Sequence, residues 1–184
     1  MSINSISRKA TKILRHKLNT IKHDEEGYVL VNSLIRKIPE LTIPMMVEIV
    51  ENDIKNRFDL KNINQNYYVR ANQGHSSGNL NDDKMLEVLH EPIIGCYHGT
   101  YTDKLGLIMK NGLSKMSRKH IHISESDDAI SGKRASANIK VYIDMEKALI
   151  DGIKFYRSSN GVILTPGNDL GILEPNYFLK IEHL

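Results

Sequence analysis

Residues 117–124 read Ser-Arg-Lys-His-Ile-His-Ile-Ser. Along an extended strand side chains alternate between faces, so the spacing predicts Arg118, His120, His122 and Ser124 on one face and Ile121 and Ile123 on the other. A guanidinium, two imidazoles and a hydroxyl on a shared face suit an anion or a polar cofactor better than a core. His98-Gly99-Thr100 follows an apolar run, and a glycine at that position lets a ligand approach the backbone. His98, His120 and His122 also admit a zinc reading, but Arg118 on the same face would repel a cation, so no metal is expected.

Two further groups precede these. Arg15-His16 couples a phosphate-binding fork to a titratable ring. Taken alone, the pair is better read as a surface cation beside a partly buried helix residue. Arg70 opens Arg-Ala-Asn-Gln-Gly-His-Ser, a polar loop in which Gly74 permits a left-handed turn or close ligand approach. No Gly-x-Gly-x-x-Gly, Walker-type loop or Gly-x-Ser-x-Gly occurs, which argues against a Rossmann site, P-loop chemistry and a serine nucleophile elbow.

The elements that must position these residues follow from patterning. Ile6, Ala10, Ile13, Leu14 and Leu18 predict a helix over 5–18, with Arg8, Lys12 and Arg15 on another face. A short strand over 28–31 and a helix over 32–38 come next, then a helix capped by Thr42 with Pro44 in its first turn. Residues 57–60 and 67–71 form a hairpin. The Gly/Ser/Asn/Asp-rich stretch 74–83 marks a boundary. Beyond it the expected elements are a strand over 93–98, a helix over 103–111 stopped by Gly112, and the 117–124 strand. Another strand over 139–143 and a helix over 145–151 follow, and strands over 154–156, 162–164 and 177–181 complete the pattern. The fold class is α+β: helices and a hairpin in residues 1–80, a largely antiparallel sheet lobe in residues 81–184.

Composition agrees with an ordinary globular chain: 184 residues, 40 % hydrophobic, 26 % charged, net charge +3, no tryptophan. Cys96, the sole cysteine, excludes a disulfide framework and points to a reducing compartment. No stretch is apolar enough to span a bilayer, and no signal peptide opens the chain, so no membrane partner is expected. Residues 1–22 carry Arg8, Lys9, Lys12, Arg15, Lys17 and Lys22 without an acid, a patch suited to a polyanion or simply to solvent.

Taken in order, several motifs resemble the NAD-dependent RNA 2′-phosphotransferases, which remove the splice-junction phosphate from ligated tRNA. They are Leu14-Arg15-His16, Tyr28-Val29, Arg57-Phe58, 70–76, His98–Tyr101, 117–124, Ser131-Gly132-Lys133-Arg134 and 160–167. Two local departures, Lys17–Thr20 and the acid-rich turn before Gly27, are expected to touch no motif that carries chemistry. The resemblance implies an N-terminal winged-helix lobe that binds RNA and a C-terminal lobe with the ADP-ribosyltransferase fold. It implies Arg15, His16, Arg70 and Arg118 as catalytic groups. His98, Gly99, Thr100, His120, His122, Ser124, Ser131, Gly132, Arg134 and Asn160 are implied to bind NAD, which is consumed. The partners implied are 2′-phosphorylated RNA of the tRNA type and NAD, for a monomer in the cytoplasm, or also the nucleus in a eukaryote. The alternatives are a same-fold ADP-ribosyltransferase acting on terminal phosphates of RNA or DNA, and a winged-helix regulator without turnover.

Overall fold

The computed structural model describes residues 2–132 and 135–184 and divides into two compact units, Met1–Met85 and Leu86–Leu184. Together they contain helices and exclusively antiparallel strand pairs among the described residues, an α+β chain.

In the first unit, α1 (Ile3–His16) starts where the Ser2 hydroxyl accepts from Ser5 N, and its stripe of Ile6, Ala10 and Leu14 is fully buried. The helix stops two residues short of the expected 5–18 span. The physical reason lies in the loop that follows Arg70: Leu18 N–H donates to the Ser77 hydroxyl at 2.9 Å instead of continuing the helical ladder, and Leu18 enters the core from a 3₁₀ turn. β1 (Val29–Leu30) leads into α2 (Val31–Ile35), shorter than expected, and α3 (Ile43–Glu51) carries the Thr42 cap, whose hydroxyl accepts from Met45 N at 3.3 Å.

β2 (Phe58–Ile63) and β3 (Asn66–Ala71) form the expected hairpin. Its turn places Asn64 and Gln65 at φ 50° and 63°, the two left-handed positions that match the twist of paired strands. β3 is central in a sheet ordered β1-β3-β2, and the helices pack their apolar stripes on it, with Leu14, Leu34, Met46 and Val69 in one core. Residues 80–85, including the short α4 (Asp82–Met85), are tied here by Asn81 N–H donating to Glu25 O at 2.8 Å.

The second unit begins with β4 (Glu87–Leu89), an edge strand with no sequence signal of its own. β5 (Tyr97–Thr100) starts four residues later than the 93–98 expectation, because Gly95 turns the chain at φ 83° and leaves Ile94 in solvent. α5 (Thr102–Asn111) ends at Gly112 as expected, and β6 (Leu113–Ser114) follows. β7 (Ile121–Ile123) is shorter than the 117–124 strand expected. Its partner supplies the reason: Ile121 faces Thr165, and Pro166 comes next, with no N–H to continue the ladder. Residues 115–118 instead form a turn, with Arg118 N–H donating to Lys115 O at 3.1 Å.

β8 (Ile139–Ile143), α6 (Met145–Ile150), β9 (Phe155–Arg157), β10 (Ile163–Thr165), β11 (Ile172–Leu173) and β12 (Phe178–His183) complete the unit. The sheets are ordered β4-β9-β10-β7, β12-β8-β5 and β11-β6. A Tyr97–Ser124 bridge joins β5 to the end of β7, and Ile123, Ile139, Phe155 and Ile163 share the core.

Candidate active site

In the first unit the end of α1 is latched to the loop 72–80. Ser76 N–H donates to Arg15 O at 2.8 Å, and the Ser76 hydroxyl lies 2.9 Å from His16 Nδ1. Gly74, at φ 86°, lies flat against Arg15: a Cβ there would sit 3.3 Å from Arg15 Cδ and Nε. The loop is anchored at its start by Asn72, whose amide donates to Asn56 O at 2.7 Å while its buried Oδ1 has no hydrogen-bond partner among the described residues. Arg15, His16 and the loop that follows Arg70, three motifs apart in sequence, are thus one structure.

Arg70 itself lies at the end of β3, 8 % exposed. Its guanidinium is 3.3 Å from Glu26, 3.5 Å from Asp59 and 4.7 Å above the Tyr28 ring. Asp59 is its cross-strand partner, and Tyr28 donates its hydroxyl to the same carboxylate. Burial, reinforced by that hydrogen bond to Asp59, pushes the Tyr28 phenol well above its ordinary range. Arg70 is a cation already shared by two carboxylates. One expectation is corrected. The acid-rich turn before Gly27, expected to touch no motif, supplies Glu26 to Arg70. Lys17–Thr20, the other departure, touches the loop through Leu18 and Ser77. A lone acid inside a strand, Asp59, is a usable sequence signal for a partner of Arg70; that Glu26 also reaches Arg70 is visible only in three dimensions.

In the second unit His98 Nδ1–H donates to His122 O at 2.7 Å, which fixes the ring and leaves Nε2 as the acceptor in the neutral form. Arg118 donates to His122 Nδ1 at 3.4 Å, assigning the His122 proton to Nε2. Arg118 is exposed and lies in the turn rather than on the strand, yet it comes alongside His122 as the alternation suggested. His120 also precedes the strand; it is buried, with its ring edge-on to Tyr156 at 5.9 Å. Ser124 is buried and its hydroxyl donates to Ser126 O at 3.1 Å.

Gly99 and Thr100 pair with Lys140 and Ile139 within the sheet, and strand alternation turns them to opposite faces. Gly99 lines a cavity of about 390 Å³ with Tyr97, Asp127 and Lys140. Gly132, at φ 88°, packs against β7, where a Cβ would meet Ile123 O at 3.3 Å; Ser131 beside it is buried. Asn160 sits in the β9–β10 turn and accepts from the Ser158 hydroxyl at 2.7 Å. Arg134 lies outside the described residues. Among the described residues no cluster of three or more His, Cys, Asp or Glu side chains is arranged to hold a metal ion, and no helix is long and apolar enough to cross a membrane.

Guanidiniums and a positioned imidazole in one unit, and oriented imidazoles in the other, belong to a chain of α+β class with antiparallel sheets. Residues 2–167 match the model of the RNA 2′-phosphotransferase, Tpt1 / KptA family. The chain is 37 % identical over 185 residues to a putative tRNA 2′-phosphotransferase of Schizosaccharomyces pombe, covering 96 % of this chain and 50 % of that protein. It is 34 % identical over 192 residues to tRNA 2′-phosphotransferase 1 of Danio rerio, covering 97 % and 85 %. To a probable RNA 2′-phosphotransferase of Acaryochloris marina it is 34 % identical over 188 residues, covering 98 % of each. The chain belongs to the RNA 2′-phosphotransferase family, a family of transferases, and spans about half the length of its S. pombe relative.

Proposed function

We propose that this protein transfers the internal 2′-phosphate of RNA, of the splice-junction tRNA type, to NAD. The products are RNA with a free 2′-hydroxyl, nicotinamide and ADP-ribose 1″,2″-cyclic phosphate. Residues 1–80 act as a winged-helix RNA lobe and residues 81–184 as an ADP-ribosyltransferase-like lobe, in a cytoplasmic or nuclear monomer. The observation that carries the reading is the latch of Arg15 and His16 onto the 72–80 loop that follows Arg70.

NAD enters as a consumed substrate, supplying an electrophilic anomeric carbon and a neutral leaving group. In the first step an oxygen of the RNA 2′-phosphate bonds to that carbon as the bond to nicotinamide breaks. In the second, the adjacent ribose 2″-hydroxyl attacks phosphorus and the bond to the RNA 2′-oxygen breaks, that oxygen gaining a proton. Arg15, Arg70 and Arg118 bear the phosphate charge without titrating, and stabilise what develops on its oxygens. Phosphate takes over part of the Arg70 charge that Glu26 and Asp59 neutralise.

His16, whose Nδ1 is held by Ser76, presents its other ring nitrogen to donate to the phosphate or to protonate the departing oxygen. His98, Gly99, Thr100, His120, His122 and Ser124 hold the nicotinamide-ribose side. Ser131, Gly132 and Arg134 lie toward the adenylate, and Asn160 completes the pocket. The donor set fits: His98 is tautomerically fixed by a backbone carbonyl, as a group that reads a ribose hydroxyl must be.

The test is incubation of the protein with NAD and an oligonucleotide bearing one internal 2′-phosphate. Nicotinamide release together with a 2′-hydroxyl strand is the expected result. ADP-ribose retained on the nucleic acid would favour an ADP-ribosyltransferase acting on terminal phosphates; no nicotinamide release would defeat both.

A further inference from the structure

The catalytic latch occupies only the last turn of α1, yet the exposed face of the helix continues as a groove of about 490 Å³. Arg8, Lys12 and Arg57 line it as permanent cations, His16 closes one end, and Asn4 and Ser7 add neutral hydrogen-bonding groups. Thr11 also lines it, but its hydroxyl is turned onto Ser7 O at 2.8 Å. Among the described residues no carboxylate lines this groove. The adjoining hollow of about 320 Å³, which shares Asn4, Ser7 and Arg57, is bounded by Glu48 and Asp53. Asp53 takes one edge of the Arg57 guanidinium at 2.7 Å and fixes where it stands. The acids thus bound the neighbouring hollow, and the cations line the groove that ends at His16.

We propose that this groove is a track for single-stranded RNA, holding the backbone phosphates that flank the 2′-phosphate. Arg8, Lys12 and His16 succeed one another at i, i+4 and i+8, a rise of about 6 Å per step and about 12 Å in all. That is a run of cations along a chain of phosphodiesters rather than a pocket for a single mononucleotide. The inference rests on the proposed phosphotransfer, because it takes His16 as the point where the strand meets the reacting group. Arg8 and Lys12 are exposed, make no part of the core and can be removed without unfolding the helix.

The test is the salt dependence of binding of a single-stranded RNA with an internal 2′-phosphate and several nucleotides on each side. For single strands each phosphate contact contributes about 0.7 to the slope of log K against log salt. Arg8→Ala and Lys12→Ala are each expected to lower the slope by about 0.7 and together by about 1.4, with transfer to NAD retained. Lys9→Ala removes the same charge from α1 at a residue paired with Glu40 outside the groove, and is expected to leave the slope unchanged. An unchanged slope in the double variant, or an equal drop in Lys9→Ala, overturns the track while the phosphotransfer reading stands. If the wild-type protein binds the strand but transfers no phosphate to NAD, that reading falls and takes this inference with it.

Discussion

The two constellations are held by different forces. In the first unit Arg70 is set among opposite charges, buried between Glu26 and Asp59 on the Tyr28 ring, while Arg15 lies against Gly74 under a loop closed by hydrogen bonds to the end of α1. In the second unit the groups are set by backbone: His98 by the carbonyl of His122, Ser124 by its bridge to Tyr97, Gly132 by its packing on Ile123. The contrast fits the two ligands proposed. A doubly charged phosphate gains most from strong fields whose counter-charges it can replace, whereas a ribose is read by hydrogen bonds whose direction must be fixed beforehand.

The sharpest way to break this division is to remove one guanidinium from each unit. Arg15→Ala and Arg118→Ala are each expected to slow transfer by about 10²–10³-fold, the usual cost of losing one preorganised donor to a developing oxyanion. RNA-2′-phospho-ADP-ribose is expected to accumulate in at least one of them, visible by denaturing electrophoresis of quenched reactions. Wild-type rates in both would remove these residues from the account.

A smaller effect is expected at the carboxylates. Asp59→Ala leaves the part-buried Tyr28 hydroxyl without its acceptor and Arg70 with Glu26 alone. Stability is expected to fall by about 1–3 kcal/mol in chemical denaturation. His98, by contrast, is oriented by a main-chain carbonyl that substitution cannot remove.

Glycine substitutions sharpen the comparison further. Gly74→Ala forces a left-handed residue against Arg15, and Gly132→Ala does the same against Ile123 O. Each carries a strain of about 1–2 kcal/mol. Gly74→Ala is expected to raise KM for RNA and spare that for NAD, and Gly132→Ala to do the reverse. Matching changes in both constants for both variants would erase the division between the units.

The smallest effect concerns Cys96, which burial pushes from its ordinary value of 9.0 up to about 12. The folded state then holds the thiol proton more tightly than the unfolded chain. Its contribution to stability is complete below about pH 9 and declines as pH rises toward about 12. Tyr28, also pushed up, adds a decline of the same sign. Cys96→Ala is expected to flatten the alkaline fall in thermal stability without changing neutral-pH turnover, since the thiol belongs to the core and not to the chemistry.

Much of this was legible in the sequence where the signal is local. The buried stripe of α1, the Thr42 cap, the hairpin of β2 and β3 and the Gly112 stop each follow from a few neighbouring residues. Where partners are distant, legibility failed. The length of β7 depends on Pro166 facing it from β10, and the end of α1 depends on Ser77. The state of Arg70 depends on a cross-strand register and on Glu26, 44 positions away. Strand alternation predicts Arg118 beside His122, but the strand ends before it and a turn brings it there instead.

The central claim, that the internal 2′-phosphate of RNA is transferred to NAD, is tested most directly by following the atom itself. An oligonucleotide radiolabelled only in its internal 2′-phosphate is mixed with the protein and NAD, and the label is traced. The account predicts its complete passage into ADP-ribose 1″,2″-cyclic phosphate as the strand gains a 2′-hydroxyl. Label released as inorganic phosphate, or remaining on the strand while nicotinamide is produced, would contradict it.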